Sequence, residues 1–241
     1  MGGDDSSHAA TRVIAVRHGE TAWNAGTRLQ GQLDIPLNAV GRAQAERAGR
    51  ALAHEGITAI WSSDLARARE TAEAIAAAVV AGTSAQRLAV EVDGGLRERR
   101  FGTFEGHTYA EIDARWPGEA LRWRQRDPAF APDGGESLLD FSARCVSAAA
   151  RLAERHPGET VLLVAHGGVM DCLYRAALGL DLQAVRTWQL GNASINRLLY
   201  ADGRFALVGW SDTLHLDDTA ALDDASVGAV TPAAAPAGAA S

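Results

Sequence analysis

The sequence predicts an α/β fold: a doubly wound, mainly parallel sheet with helices on both faces and an antiparallel edge. Three observations predict it. Short, wholly apolar runs at Val13–Val16 and Val161–Ala165 read as central strands, covered on both sides. Segments of helical periodicity alternate with such runs, the order expected of a parallel sheet. Near the end, Asp202-Gly203 separates Ile195–Tyr200 from Phe205–Trp210, a two-residue hairpin signal that supplies the antiparallel edge.

The elements follow in order. After the first strand, Asn38 caps a helix over 39–54, whose apolar face is Ala43, Ala48, Ala51 and Leu52 and which Gly56 ends. Thr58–Trp61 is a second strand. Ser62-Ser63-Asp64 then offers N-cap chemistry for a helix over 65–80. Arg87–Val92 reads as a third strand. The stretch 93–135 holds seven glycines and three prolines and reads as irregular, with one helix around 107–115. Glu136–His156 is a long helix stopped by Pro157-Gly158, and Gly168–Leu178 a helix closed by Gly179. Residues 1–11 and 217–241 read as disordered ends around one domain over 12–216.

Composition narrows the class. The 241 residues are 47% hydrophobic, enough for one full core, and the net charge of −7 argues against a nucleic-acid partner. An acidic chain can still hold a local arginine cluster for a small anion. The polar, acidic start shows no secretory pattern and no apolar run reaches membrane-spanning length, so the reading is cytoplasmic with no membrane role. Cys145 and Cys172 sit in apolar helical contexts and read as buried free thiols. An exposed edge strand leaves monomer and homodimer open.

Three strand ends carry polar chemistry. Arg17-His18-Gly19-Glu20 follows the first strand, Ser62-Ser63-Asp64 the second with Arg67 one helical turn on, and His166-Gly167-Gly168 the strand Val161–Ala165. In a parallel sheet these loops share one edge, where ligands bind. An imidazole is a competent nucleophile toward phosphorus and is partly neutral near pH 7. Arginines suit the charge spread over a transferring phosphoryl group. Glycine after each histidine admits a ligand close to the backbone, and a helix opening at Gly167 favours an anion. An acid for the leaving oxygen comes from the stretch LRERRFGTFEGHTYAEI, which offers Glu98, Glu105 and Glu111. A carboxyl beside a phosphate is held protonated by like charge, as a general acid requires.

At this point the residues resemble a known family. RHGETAWN resembles the R-H-G-x-T-x-x-N signature of the histidine phosphatase superfamily, which includes phosphoglycerate mutases and acid-type phosphatases. LQGQLDIPLNAVGRAQA, WSSDLARARETAEAI, LRERRFGTFEG, GGESLLDF and VAHGGVM resemble its other blocks, in order, so that the likeness spans about residues 12–210. The resemblance implies a phosphoglycerate mutase-like fold and assigns roles by position. His18 would be the phosphohistidine nucleophile. Arg17, Arg67 and His166 would line the phosphate pocket, with Asn24 beside them. Glu98 matches the family's L-x-E acid and is preferred to Glu105 and Glu111. Gln30, Gly167 and Arg99 are further candidates for contact with substrate. No metal and no cofactor are implied.

The segment between Glu98 and His166 is short for a mutase, which favours a phosphomonoesterase acting on a small phosphorylated metabolite. Mutase-type phosphoryl transfer is the alternative, followed by a zinc metallohydrolase built on two histidines and a glutamate, and by a non-catalytic phosphate-ligand binder. Two arginines beside the histidines argue against a dication. Arg122, Arg124 and Arg126 read as a solvated face, with a grip on a multiply charged substrate as the alternative, Trp116 and Trp123 as cavity wall or core, and Asn192-Ala193-Ser194 as a turn, with contact to the pocket as the alternative.

Overall fold

The computed structural model describes residues 9–79 and 88–217. Its strands are β1 (Thr11–Arg17), β2 (Ile57–Ser62), β3 (Val90–Val92), β4 (Thr160–Ala165), β5 (Ile195–Ala201) and β6 (Arg204–Asp212). They form one sheet in the order β3-β2-β4-β1-β5-β6. β3, β2, β4 and β1 run parallel; β5 pairs antiparallel with β1 and β6 with β5. The hairpin turns at Asp202 (φ 50°) and Gly203 (φ 74°). Two successive positive φ values match the right-handed twist of the strands.

The helices are α1 (Ala22–Ala25), α2 (Ala39–Leu52), α3 (Ala66–Ala78), α4 (Tyr109–Arg115), α5 (Pro117–Arg124), α6 (Leu138–Glu154) and α7 (Gly167–Leu178). Side chains of a strand alternate between faces, and β1 shows the consequence. Ile14 and Val16 join Leu52, Ala68 and Ile75 of α2 and α3 in one core cluster. Val13 and Ala15 join Phe141, Leu152, Met170 and Leu173 of α6 and α7 in the other. A third, small cluster of Phe104, Ile112, Ala120 and Phe130 belongs to the segment read as irregular.

Several elements differ from the sequence reading. β1 begins at Thr11, inside the segment expected to be disordered. Thr11 is buried and its hydroxyl is 2.9 Å from Ala153 O and 3.0 Å from His156 O, which fixes it against the end of α6. α5 was not foreseen; Pro117 at its first position lacks only an N–H that a helix start leaves unpaired. The long helix is Leu138–Glu154, with Ser137 accepting from Asp140 N at its cap. Of the expected strand 87–92 the structure forms Val90–Val92. Arg87, residue 80 of the helix expected over 65–80, residues 1–8 and the tail from 218 lie outside the described residues.

The cap of α3 also differs. No side chain of Ser62-Ser63-Asp64 caps it; Leu65 holds the cap position, and Ala66 N donates instead to Asp34 Oδ1 at 2.7 Å. Asp34→Ala should therefore lower stability by about 1 kcal/mol, the usual loss for an N-cap, read as a shift of the urea midpoint at constant slope. An unchanged midpoint would assign that end of α3 to packing alone.

Candidate active site

The register aligns three strand ends. Arg17, the last residue of β1, pairs with Ala165, the last of β4, and Ser62 at the end of β2 pairs with Val164. Each strand is tied into the sheet to its final residue, so the residues that follow leave at one level. His18 N donates to Ala165 O at 2.9 Å, and Ser63 N to Val164 O at 2.9 Å. The two imidazoles, far apart in the chain, end with ring centroids 5.2 Å apart and planes inclined at 60°.

Around His18 a cleft of about 820 Å³ opens. Arg17, His18, Asn24, Gln30, Arg67, Glu98, Arg99 and Gly167 all line it. His166 is fully buried beside His18 rather than part of the lining. The first turn of α7 supplies Gly167 and Gly168.

The imidazole of His18 is 3% exposed, and its Nδ1 lies 2.7 Å from Gly19 O. A carbonyl accepts only, so Nδ1 carries the proton and Nε2 keeps its lone pair. Burial pushes the ring's pKa well below the ordinary histidine value, and the nearby Arg67 and Arg17 guanidinium groups lower it further. His18 is therefore a neutral imidazole at neutral pH, with a defined free nitrogen. Burial likewise pushes His166 well below its ordinary value, with Arg67 and His18 next in effect.

Backbone carbonyls aim the guanidinium groups. Arg17 Nη1 donates to Leu190 O. Arg67, 1% exposed, donates to Gly31 O at 2.7 Å and Leu33 O at 2.9 Å. Burial lowers Arg67 to about 10, while Glu98 and Asp34 oppose the drop, so it stays charged at neutral pH. Both arginines keep a buried Nε without a protein partner. An anion placed between them meets oriented donors that need not reorganise.

The three candidate carboxylates separate by position. Glu105 Oε1 accepts from Gln32 N and Phe101 N, which ties two loops together, and it does not line the cleft. Glu111 closes the cap of α4 and pairs with Arg28 at the surface. Glu98 lines the cleft, its Oε1 accepting from Arg99 N at 2.8 Å and its Oε2 from Gly168 N at 3.0 Å. Gly168 makes that approach possible: a Cβ there would stand 2.2 Å from Glu98 Oε1.

The remaining candidates hold varied places. Asn24 is part of the capping box of α1, its Oδ1 accepting from Thr21 N, and it lines the cleft. Gln30 is 8% exposed, and its Oε1 has no protein partner. Arg99 is held by Phe130 O and Glu136 O, and burial lowers it to about 10.

Other groups complete the site. Asn192, read as a turn residue, donates to His18 O at 3.0 Å and so steadies the loop from behind. Arg124 and Arg126, read as a solvated face, line the cleft, whereas Arg122 pairs with Asp127 on the surface. Trp123 lines the cleft and stacks on Tyr109 at an interplanar angle of 7°; Trp116 packs on Phe104 instead. Arg186, Trp188, Gln189 and Leu190 form a further wall from the loop before β5. Cys145 and Cys172 are free and buried. Among the described residues no group of three His, Cys, Asp or Glu side chains is placed to hold a metal ion, and no helix is long and apolar enough to cross a membrane.

The likeness to known proteins agrees with this geometry. The sequence model of the histidine phosphatase superfamily (branch 1) matches residues 13–213. Phosphoglycerate mutase-like protein 4 of Arabidopsis thaliana is 39% identical over 214 residues, 87% of this chain and 89% of that one. Glucosyl-3-phosphoglycerate phosphatase of Mycobacterium tuberculosis is 40% identical over 201 residues, 78% of this chain and 85% of that one. A solved complex of mycobacterial glucosyl-3-phosphoglycerate phosphatase with VO3 superposes with a TM-score of 0.71 at 38% identity, covering 84% of this chain and 99% of that one. With a neutral imidazole beside two guanidinium groups, on a sheet of this order, and with the family's sequence model matching residues 13–213, the chain belongs to branch 1 of the histidine phosphatase superfamily.

Proposed function

We propose that this chain hydrolyses the phosphate monoester of a small metabolite through a phosphohistidine on His18. The observation that carries the proposal is the state of His18: neutral, with Nδ1–H committed to Gly19 O and the Nε2 lone pair free, between Arg17 and Arg67. Nε2 attacks phosphorus, the N–P bond forms and the ester P–O bond breaks. Arg17 and Arg67 hold the equatorial oxygens, and His166 and Asn24 add donors beside them. Each oxygen of Glu98 takes one backbone N–H and keeps a lone pair, so the carboxyl can carry a proton to the leaving alkoxide. Glu98 then takes a proton from water as that water attacks the phosphohistidine, the N–P bond breaks and inorganic phosphate leaves.

The rest of the cleft suits a charged leaving group. Arg99, Arg124, Arg126 and Arg186 line it, as do Phe101, Tyr109 and Trp123. Substrates of the relatives' type, such as phosphoglycerates and their glycosides, fit that balance of cation and aromatic surface. Gln30 and Gly167 border the reacting end. The same arginines, and the mutase-like name of the Arabidopsis relative, favour phosphoryl transfer between positions of phosphoglycerate as the second reading.

The test is a panel of phosphorylated metabolites with phosphate release and product identity both recorded. Hydrolysis that persists in a strong chelator is expected. Loss of activity in chelator, restored by zinc, would transfer the case to a metallohydrolase. Interconversion of 2- and 3-phosphoglycerate without net phosphate release would establish the mutase, and binding without turnover a phosphate-ligand receptor.

A further inference from the structure

The serine expected to cap α3 does something else. Ser63 is fully buried, and its Oγ lies 2.9 Å from Nε2 of His166, itself fully buried. We propose that Ser63 is a positioning residue that fixes the tautomer of His166, holding the proton on Nδ1 so that this ring presents an N–H to the transferring phosphoryl group. The proposal rests on the phosphohistidine reading for its consequence in catalysis, but not for the tautomer itself.

The assignment follows from counting donors. A hydroxyl has one proton and two lone pairs. Ser63 Oγ already accepts from Leu65 N at 3.3 Å. Among the described residues its own proton has one acceptor in reach, Nε2 of His166. Were His166 to donate from Nε2, the hydroxyl proton would be buried with nowhere to go, at the cost of an unsatisfied donor. With Ser63 donating, a neutral His166 carries its single proton on Nδ1. That nitrogen is buried and has no protein partner, and its ring lies 5.2 Å from that of His18, centroid to centroid.

The two imidazoles then share one tautomer, Nδ1–H, but turn opposite nitrogens to opposite tasks. A carbonyl, which can only accept, leaves His18 a lone pair for attack. A hydroxyl, with a proton to give, leaves His166 a donor for the oxygen that attack creates. Freed of Ser63, His166 can turn its lone pair toward a phosphate oxygen, which repels it.

The experiment reads the tautomer directly. In ¹⁵N-labelled wild type, long-range ¹H–¹⁵N correlations should show Nδ1 of His166 as the protonated nitrogen and Nε2 as the bare one, with no substrate present. Ser63→Ala should lose this single pattern and lower kcat on the order of 10- to 100-fold, the scale by which partners that orient metal-bound histidines act, with KM within a few-fold. Ser63→Thr, which restores the hydroxyl, should recover both the pattern and most of kcat. A wild-type proton on Nε2 would overturn the proposal whatever the variants do, and needs no variant to fold. So would Ser63→Ala with an unaltered pattern and kcat, or Ser63→Thr no better than Ser63→Ala. Failure of the phosphohistidine reading shows separately, as turnover that survives removal of His18.

Discussion

His18→Ala should lower kcat/KM by a factor on the order of 10⁴ or more, the scale of removing a covalent nucleophile, while the protein stays folded. The structural loss is small. The ring gives up one hydrogen bond to Gly19 O, a net contribution of about 1 kcal/mol, and the loop keeps its ties from His18 N to Ala165 O and from Asn192 to His18 O. The chemical loss is large, because among the described residues no other group beside both arginines offers a free nitrogen in a fixed direction. Steady-state kinetics beside a thermal melt separates the two. Turnover within tenfold of wild type, at unchanged melting temperature, would remove His18 from its role.

Glu98→Gln should slow alkyl phosphates on the order of 10²- to 10⁴-fold, the span of general acid catalysis, and aryl phosphates at least tenfold less. An alkoxide leaves only with a proton; a phenoxide needs much less help. The comparison also cancels a side effect. Both oxygens of Glu98 accept a backbone N–H, from Arg99 and Gly168, and an amide can satisfy one of them while its NH2 faces the other. That misfit penalises every substrate alike, so it falls out of the alkyl-to-aryl ratio. Equal losses on both classes would return the acid role to an unassigned group.

What the sequence disclosed of this site has a physical pattern. His18 and His166 were legible because each ends a short apolar run, and such runs are central strands whose ends share an edge. Arg17 was legible for the same reason, and Arg67 from its place one turn into a helix. The hairpin at Asp202-Gly203 was legible because two successive positive φ values ask for those residues. What stayed hidden lies in partners that any residue can supply. Leu190 O, Gly31 O, Leu33 O and Gly19 O aim the reacting groups, and a carbonyl leaves no mark in the side-chain pattern. The cap of α3 was misplaced because Asp34 reaches it from a separate loop. α5 was missed in a glycine-rich stretch because its apolar residues face a four-residue cluster too small to impose a period. The wall from Arg186 to Leu190 has no periodicity at all, so only the fold brings it to the cleft.

The central claim is a covalent bond between His18 and phosphorus, and one measurement tests it most directly. Wild-type protein is mixed with a ³²P-labelled monoester, quenched in alkali within milliseconds, and digested to locate the label. The account predicts label on the peptide carrying His18, stable in base and lost in mild acid, with Glu98→Gln accumulating more of it when an aryl ester is used. Label on another residue, or rapid turnover with no labelled protein at any quench time, would contradict it.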